Sequence, residues 1–145
     1  MTIELEIEKA IVDFLKHEYP GLAIEALSED IVLLIDRARS KAKGLVVVSH
    51  SNQPADYTMI PAAYGRYVIT ERYVITILSN SRRDNEGVAE LIDKFRKTMQ
   101  NFVWRNRRMK QLSHSISPQK FPDIKDGVYI GDLEFEIEIK YPIDN

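Results

Sequence analysis

Residues 64–79 read YGRYVITERYVITILS, and the alternation within this run decides the fold class. Successive side chains of a strand point to opposite faces. Tyr67, Ile69, Tyr73, Ile75 and Ile77 therefore share one face, and Val68, Thr70, Arg72, Val74 and Thr76 share the other. A strand buried on both sides reads as an unbroken apolar run. The mixed second face predicts instead a half-exposed antiparallel strand. Residues 128–143, VYIGDLEFEIEIKYPI, repeat the pattern. There Tyr129, Leu133, Phe135, Ile137, Ile139 and Tyr141 alternate with Asp132, Glu134, Glu136, Glu138 and Lys140, giving one strongly acidic face. LVVVSH, from Leu45, has the β-branched content of a buried strand.

Three stretches carry helical spacing instead. Ile3, Ile7, Ile11, Phe14 and Leu15 form an apolar stripe, with Thr2 as N-cap and Pro20-Gly21 as stop. A second helix is expected from about Ser28 to Gly44. Ser28 caps it, Glu29 and Asp30 suit its positive end, and Arg37, Arg39, Lys41 and Lys43 suit its negative end. A third carries Val88, Leu91, Ile92, Phe95, Met99 and Phe102, with Asp84 or Asn85 as the expected cap. Residues 51–63 read as a long loop, and the basic WRNRRMK (104–110) leads into another loop holding Pro118 and Pro122. The order α-α-β-β-α-β argues for an α+β fold, a mostly antiparallel sheet with helices packed on one face.

A length of 145 residues fits a single domain, 1–145. Twenty basic against twenty-two acidic side chains leave a net charge of -2, so no global field favours nucleic acid or an anionic membrane. The absence of cysteine removes disulfides, thiolate nucleophiles and Cys-based zinc sites. The charged opening, MTIELEIEKA, is not expected to be a signal peptide, and no apolar run approaches the ~20 residues that span a bilayer. The expectation is an intracellular protein with no membrane partner.

Little in the chain points to chemistry. His17, His50 and His114 fall in different elements, none with a second ligand at helical spacing. HEXXH, GXSXG, P-loop and GXGXXG patterns are missing. Acid pairs such as Asp56 with Glu71, or Asp123 with Asp126, arise by chance among twenty-two carboxylates. The expectation is therefore a protein that is not an enzyme and holds no cofactor or metal.

Lys94 to Lys110 holds seven basic residues and no acid, with Phe95, Phe102 and Trp104 interleaved. Basic side chains neutralise phosphates and aromatic rings stack on bases, so Arg105, Arg107, Arg108 and Lys110 form a nucleic-acid candidate. The plainer reading assigns Phe95 and Phe102 to the helix core and leaves a basic helix end. An acidic strand and a basic segment on one chain also offer complementary surfaces for head-to-tail self-association.

TERYVITILSNSRRDNEGVAELIDKFRKTM (70–99) resembles the middle of a family of small tail proteins from Mu-like phages and prophages. The matching residues are Arg72, Val74 and Ile77 in the strand, Arg82 and Arg83 in the turn, and Gly87, Leu91, Ile92, Asp93 and Arg96 in the helix. The opening helix and the closing strand fit in outline. The chain departs from the pattern after the helix, where QNFVWRNRRMKQ replaces a quick glycine turn. The resemblance implies a tail terminator, or tail-completion subunit, that caps the tail tube as a ring, expected to be a hexamer. Its implied partners are further copies of itself, the tail tube protein and the head-tail connector; its implied location is the bacterial cytoplasm during assembly, then the virion tail. In such a ring Arg82 and Arg83 would meet the Glu134, Glu136 and Glu138 face of a neighbour, with Arg105, Arg107, Arg108 and Lys110 left to contact the tube. Nucleic acid is the less favoured partner, and a small metal-dependent nuclease or hydrolase is weaker still.

Overall fold

The computed structural model describes residues 2–27, 45–50, 56–59, 67–79, 87–116 and 129–141. In chain order these form α1 (Ile3–Glu18), β1 (Ala23–Ala26), β2 (Leu45–His50), β3 (Asp56–Met59), β4 (Tyr67–Ser79) and α2 (Val88–Thr98). A 3-10 turn (Met99–Asn101) follows, then β5 (Val103–Trp104), β6 (Arg107–Arg108), β7 (Lys110–Ile116) and β8 (Tyr129–Tyr141). The helix expected from Ser28 to Gly44 lies outside the described residues.

Two 13-residue strands, β4 and β8, form the spine and pair antiparallel along their whole length, Tyr67 opposite Tyr141 through Ser79 opposite Tyr129. The other edge of β4 is shared: its first residues pair with β3 and its last with β2. The sheet runs β1-β2-β4-β8-β7 with β3 beside β4, and only the β1–β2 pairing is parallel. The fold is α+β with a mostly antiparallel sheet, as the alternation predicts.

Both helices lie on one face of it. Ile7, Ile11 and Leu15 from α1 and Val88, Leu91, Ile92 and Phe95 from α2 join Tyr73, Ile75, Ile77, Leu133, Phe135, Ile137 and Ile139 in one buried cluster. Edge-to-face ring pairs lock the two helices together, Phe14 with Phe102 at 5.4 Å and Tyr19 with Phe95 at 4.9 Å. Gly131 allows α2 to approach β8 closely. A Cβ there would stand 2.5 Å from both Val88 Cγ1 and Ile92 Cδ1. On the opposite face a smaller apolar cluster gathers Leu45, Val47 and Leu78.

Thr2 caps α1 as expected, accepting from the Leu5 amide at 3.3 Å. The cap of α2 is neither Asp84 nor Asn85. The helix opens at Val88 with Gly87 at the N-cap and no side-chain capping bond. Val88 is also the first residue to pack over Gly131, so the core contact coincides with the helix start. Four short or polar strands fall where the sequence pattern shows none: β1, β3 within the stretch read as a loop, and the β5–β6 hairpin with β7 in the basic segment. Each is fixed by pairing with distant residues, which local periodicity does not register.

Candidate interaction surface

The outer face of β8, away from the helices, carries Asp132, Glu134, Glu136 and Glu138. Alternation puts them there because Leu133, Phe135, Ile137 and Ile139 point into the core. Glu136 stands at the centre of a charged row. Across one ladder it faces Arg72, with Nε 3.9 Å from its carboxylate, and across the other it faces Lys110. Asp132, deeper along the strand, accepts a 2.8 Å bond from Thr76 Oγ1. Burial pushes its carboxyl above the usual range and Glu134 adds to this, while the Thr76 bond opposes it.

The basic segment reaches this face as a hairpin. Arg105 (φ 44°) and Asn106 (φ 65°) both take the left-handed conformation that a two-residue turn of this hand requires. That conformation is costly for arginine, and the turn is tied down on several sides. Arg105 Nη2 donates to Glu6 Oε1 at 2.9 Å and its guanidinium lies 4.8 Å from the Trp104 ring centre. Arg107 lies 5.5 Å from the same ring and donates to the Arg105 carbonyl. Arg108 donates to the Gln100 carbonyl at 2.9 Å.

Trp104 is only 5% exposed, and Phe95 and Phe102 are likewise buried. These three rings are core, as the plainer reading of the segment has it, and offer no stacking platform for bases. The arginines remain at the surface. Arg107, Arg108 and Lys110 line an open groove of about 380 Å³ together with Glu136 and Glu138. The structure thus brings together two sets of side chains read separately from the sequence, the acidic strand and the basic segment. Arg82 and Arg83 lie outside the described residues.

A second polar cluster was not legible as such. His50 Nε2 and Glu71 Oε2 are 2.5 Å apart, and the His50 amide donates to Glu8 Oε2 at 3.0 Å. Glu71 is 5% exposed although it projects to the helix side of the sheet. Tyr73 beside it donates to the Glu4 carbonyl at 2.9 Å, and its ring centre is 5.2 Å from that of His50. Burial, then the neighbouring carboxylates Glu71, Glu4 and Glu8, push the Tyr73 phenol well above its ordinary range. The cluster ties α1 to β2 and β4. One signal could have found it: Glu71 is the single charged residue on the otherwise apolar face of β4. Of the other histidines, His17 is exposed in the last turn of α1, and the side chain of His114 lies outside the description.

Among the described residues no group of three His, Asp or Glu side chains is arranged to hold a metal ion. Nor is any described helix long and apolar enough to cross a membrane. No protein-family model matches the chain, and no curated protein matches it either.

Proposed function

We propose that the chain is a structural tail subunit of a Mu-like phage or prophage, a tail terminator that closes into a ring and caps the tail tube at the head-proximal end. The supporting observation is the mixed-charge groove: Arg107, Arg108 and Lys110 face Glu136 and Glu138 across it. A polyphosphate entering that groove would meet two carboxylates, which repel it. A protein surface carrying both signs finds complementary partners on both walls, the arrangement that sets register between subunits. The fold gives this surface a rigid base, since both acidic residues sit on the central strand β8 and the hairpin is fixed by the buried Trp104.

The resemblance supports the same reading. In the chain segment that carries it, Arg72 pairs with Glu136, Leu91 and Ile92 are core, and Asp93 bridges Arg96 and Lys97 at 2.8 and 3.0 Å. Those two bonds, Lys97 first, hold the Asp93 carboxyl below its usual range.

Negative-stain electron microscopy of the purified chain tests the proposal. Closed rings of uniform diameter are expected. Dispersed monomers, with duplex DNA or single-stranded RNA bound in a steeply salt-dependent way and lost in an Arg105→Ala/Arg107→Ala/Arg108→Ala/Lys110→Ala variant, would replace it with the nucleic-acid reading.

A further inference from the structure

The charges on the outer face of β8 are matched, sign for sign, by a segment at the other end of the sheet. Residues 82–86, Arg-Arg-Asp-Asn-Glu, carry two cations followed by two anions within five positions. The groove offers two anions, Glu136 and Glu138, beside three cations, Arg107, Arg108 and Lys110. We infer that the groove receives the 82–86 segment of a second copy of this chain, Arg82 and Arg83 against Glu136 and Glu138, with Asp84 and Glu86 against Arg107, Arg108 and Lys110. This rests on the self-assembling part of the proposed function and names the contact that performs it.

Chain geometry requires the pairing to be between copies. The segment hangs between Ser79 and Gly87. Ser79 stands opposite Tyr129, at the start of β8, and Val88 packs on Gly131, one register step further. At ~3.3 Å per residue, Glu136 lies roughly 17 Å along the strand from Gly131, and Glu138 roughly 23 Å. Glu86 is the immediate neighbour of Gly87 and can move only about 3.8 Å between Cα atoms from it, plus its own side chain. Its carboxylate therefore stays far from the Arg107–Arg108 wall of its own molecule. Arg82 is three residues from Ser79, about 10 Å of fully extended chain, against roughly 30 Å to the level of Glu138. One protomer cannot fill its own groove with this segment, whereas two can join head to tail. Because the donor segment and the receiving groove are different surfaces, the contact is heterologous, and it repeats until a ring closes.

The opposite signs allow a charge-swap experiment on the full chain, read by sedimentation velocity over a range of concentrations. The variants are Arg82→Glu/Arg83→Glu and Glu136→Lys/Glu138→Lys. Glu138→Lys alone serves as the milder groove variant, because Glu136 is flanked by Arg72 and Lys110 within the sheet and its reversal strains the fold. Far-ultraviolet circular dichroism and thermal melts establish that each variant is folded. Each alone is expected to weaken self-association by ~tenfold or more. An equimolar mixture of the two is expected to restore it, since the acidic turn of one then meets the basic groove of the other while the two unaltered surfaces pair as before.

Weakened variants that fail to rescue one another would overturn the pairing. Wild-type assembly that neither variant disturbs would overturn the inference and leave ring formation standing through another surface. A wild-type chain that stays monomeric throughout would overturn both. Occupation of the groove by a different partner would appear as rings insensitive to both variants.

Discussion

The two faces of β8 are made from the same 13 residues and do opposite work. Towards the helices stand Leu133, Phe135, Ile137 and Ile139, each at most 3% exposed. Away from them stand Glu134 and Glu136, half-buried, and Glu138, exposed. A strict period of two lets one strand be core on one side and recognition surface on the other, and a one-residue slip would exchange the two. The first face is non-directional and tolerant of exchange among apolar residues of like volume. The second depends on the sign and position of each charge. The comparison teaches where substitutions should affect stability and where they should affect association.

The largest expected effect lies on the core face. Phe135→Ala removes a buried ring and should cost about 3–5 kcal/mol, measured by urea denaturation, whereas Glu138→Ala directly across the sheet should stay within about 0.5 kcal/mol. A Glu138→Ala variant as damaged as Phe135→Ala would break the division between faces. Gly131→Ala comes next. Its added Cβ meets Val88 and Ile92, and overpacking of this kind costs about 1–3 kcal/mol. A neutral outcome in the same denaturation assay would mean that α2 shifts away from β8 with no penalty.

His50→Ala tests the place where the comparison is least clean, because it strips the nearly buried Glu71 of its partner. A loss of about 1–3 kcal/mol is expected at neutral pH. The double variant His50→Ala/Glu71→Leu should recover part of it, since the orphaned carboxylate is then gone. The smallest effect is at Asp132. Its folded-state pKa is raised, chiefly by burial, so the protonated form is favoured by the fold. The stabilisation linked to that proton is complete below the carboxyl's unfolded value near 3.9 and is lost as pH rises through the higher folded value. Asp132→Asn, which keeps the oxygen that accepts from Thr76, should therefore be slightly more stable than wild type at pH 7. That advantage should shrink as pH falls towards 4 in paired thermal melts.

Much of the fold was legible because its spine is long and regular. β4 and β8 each span 13 residues of alternation, and α1 and α2 carry clear apolar stripes. What escaped has a common physical cause. β1, Ala23–Ala26, is four residues long and exists because it pairs in parallel with β2. β7 carries a bulge between Gln111 and Ser113, which breaks the period and leaves Leu112 partly exposed. The β5–β6 hairpin turns at Arg-Asn, where the usual signal is Asn-Gly, and its strands are two residues each. The charged groove was legible as two lists of residues but not as one place. Lys110 and Glu136 are far apart in the chain and meet only through the β7–β8 ladder.

The measurement that tests the account most directly is the molar mass of the full chain in solution by light scattering, over a wide concentration range at low and moderate salt. The account predicts a rise from 16.8 kDa to one discrete multiple of that mass, reached at lower concentration when salt is low, because charge pairs guide the contact. A mass that remains at 16.8 kDa at every concentration and both salt levels would contradict it.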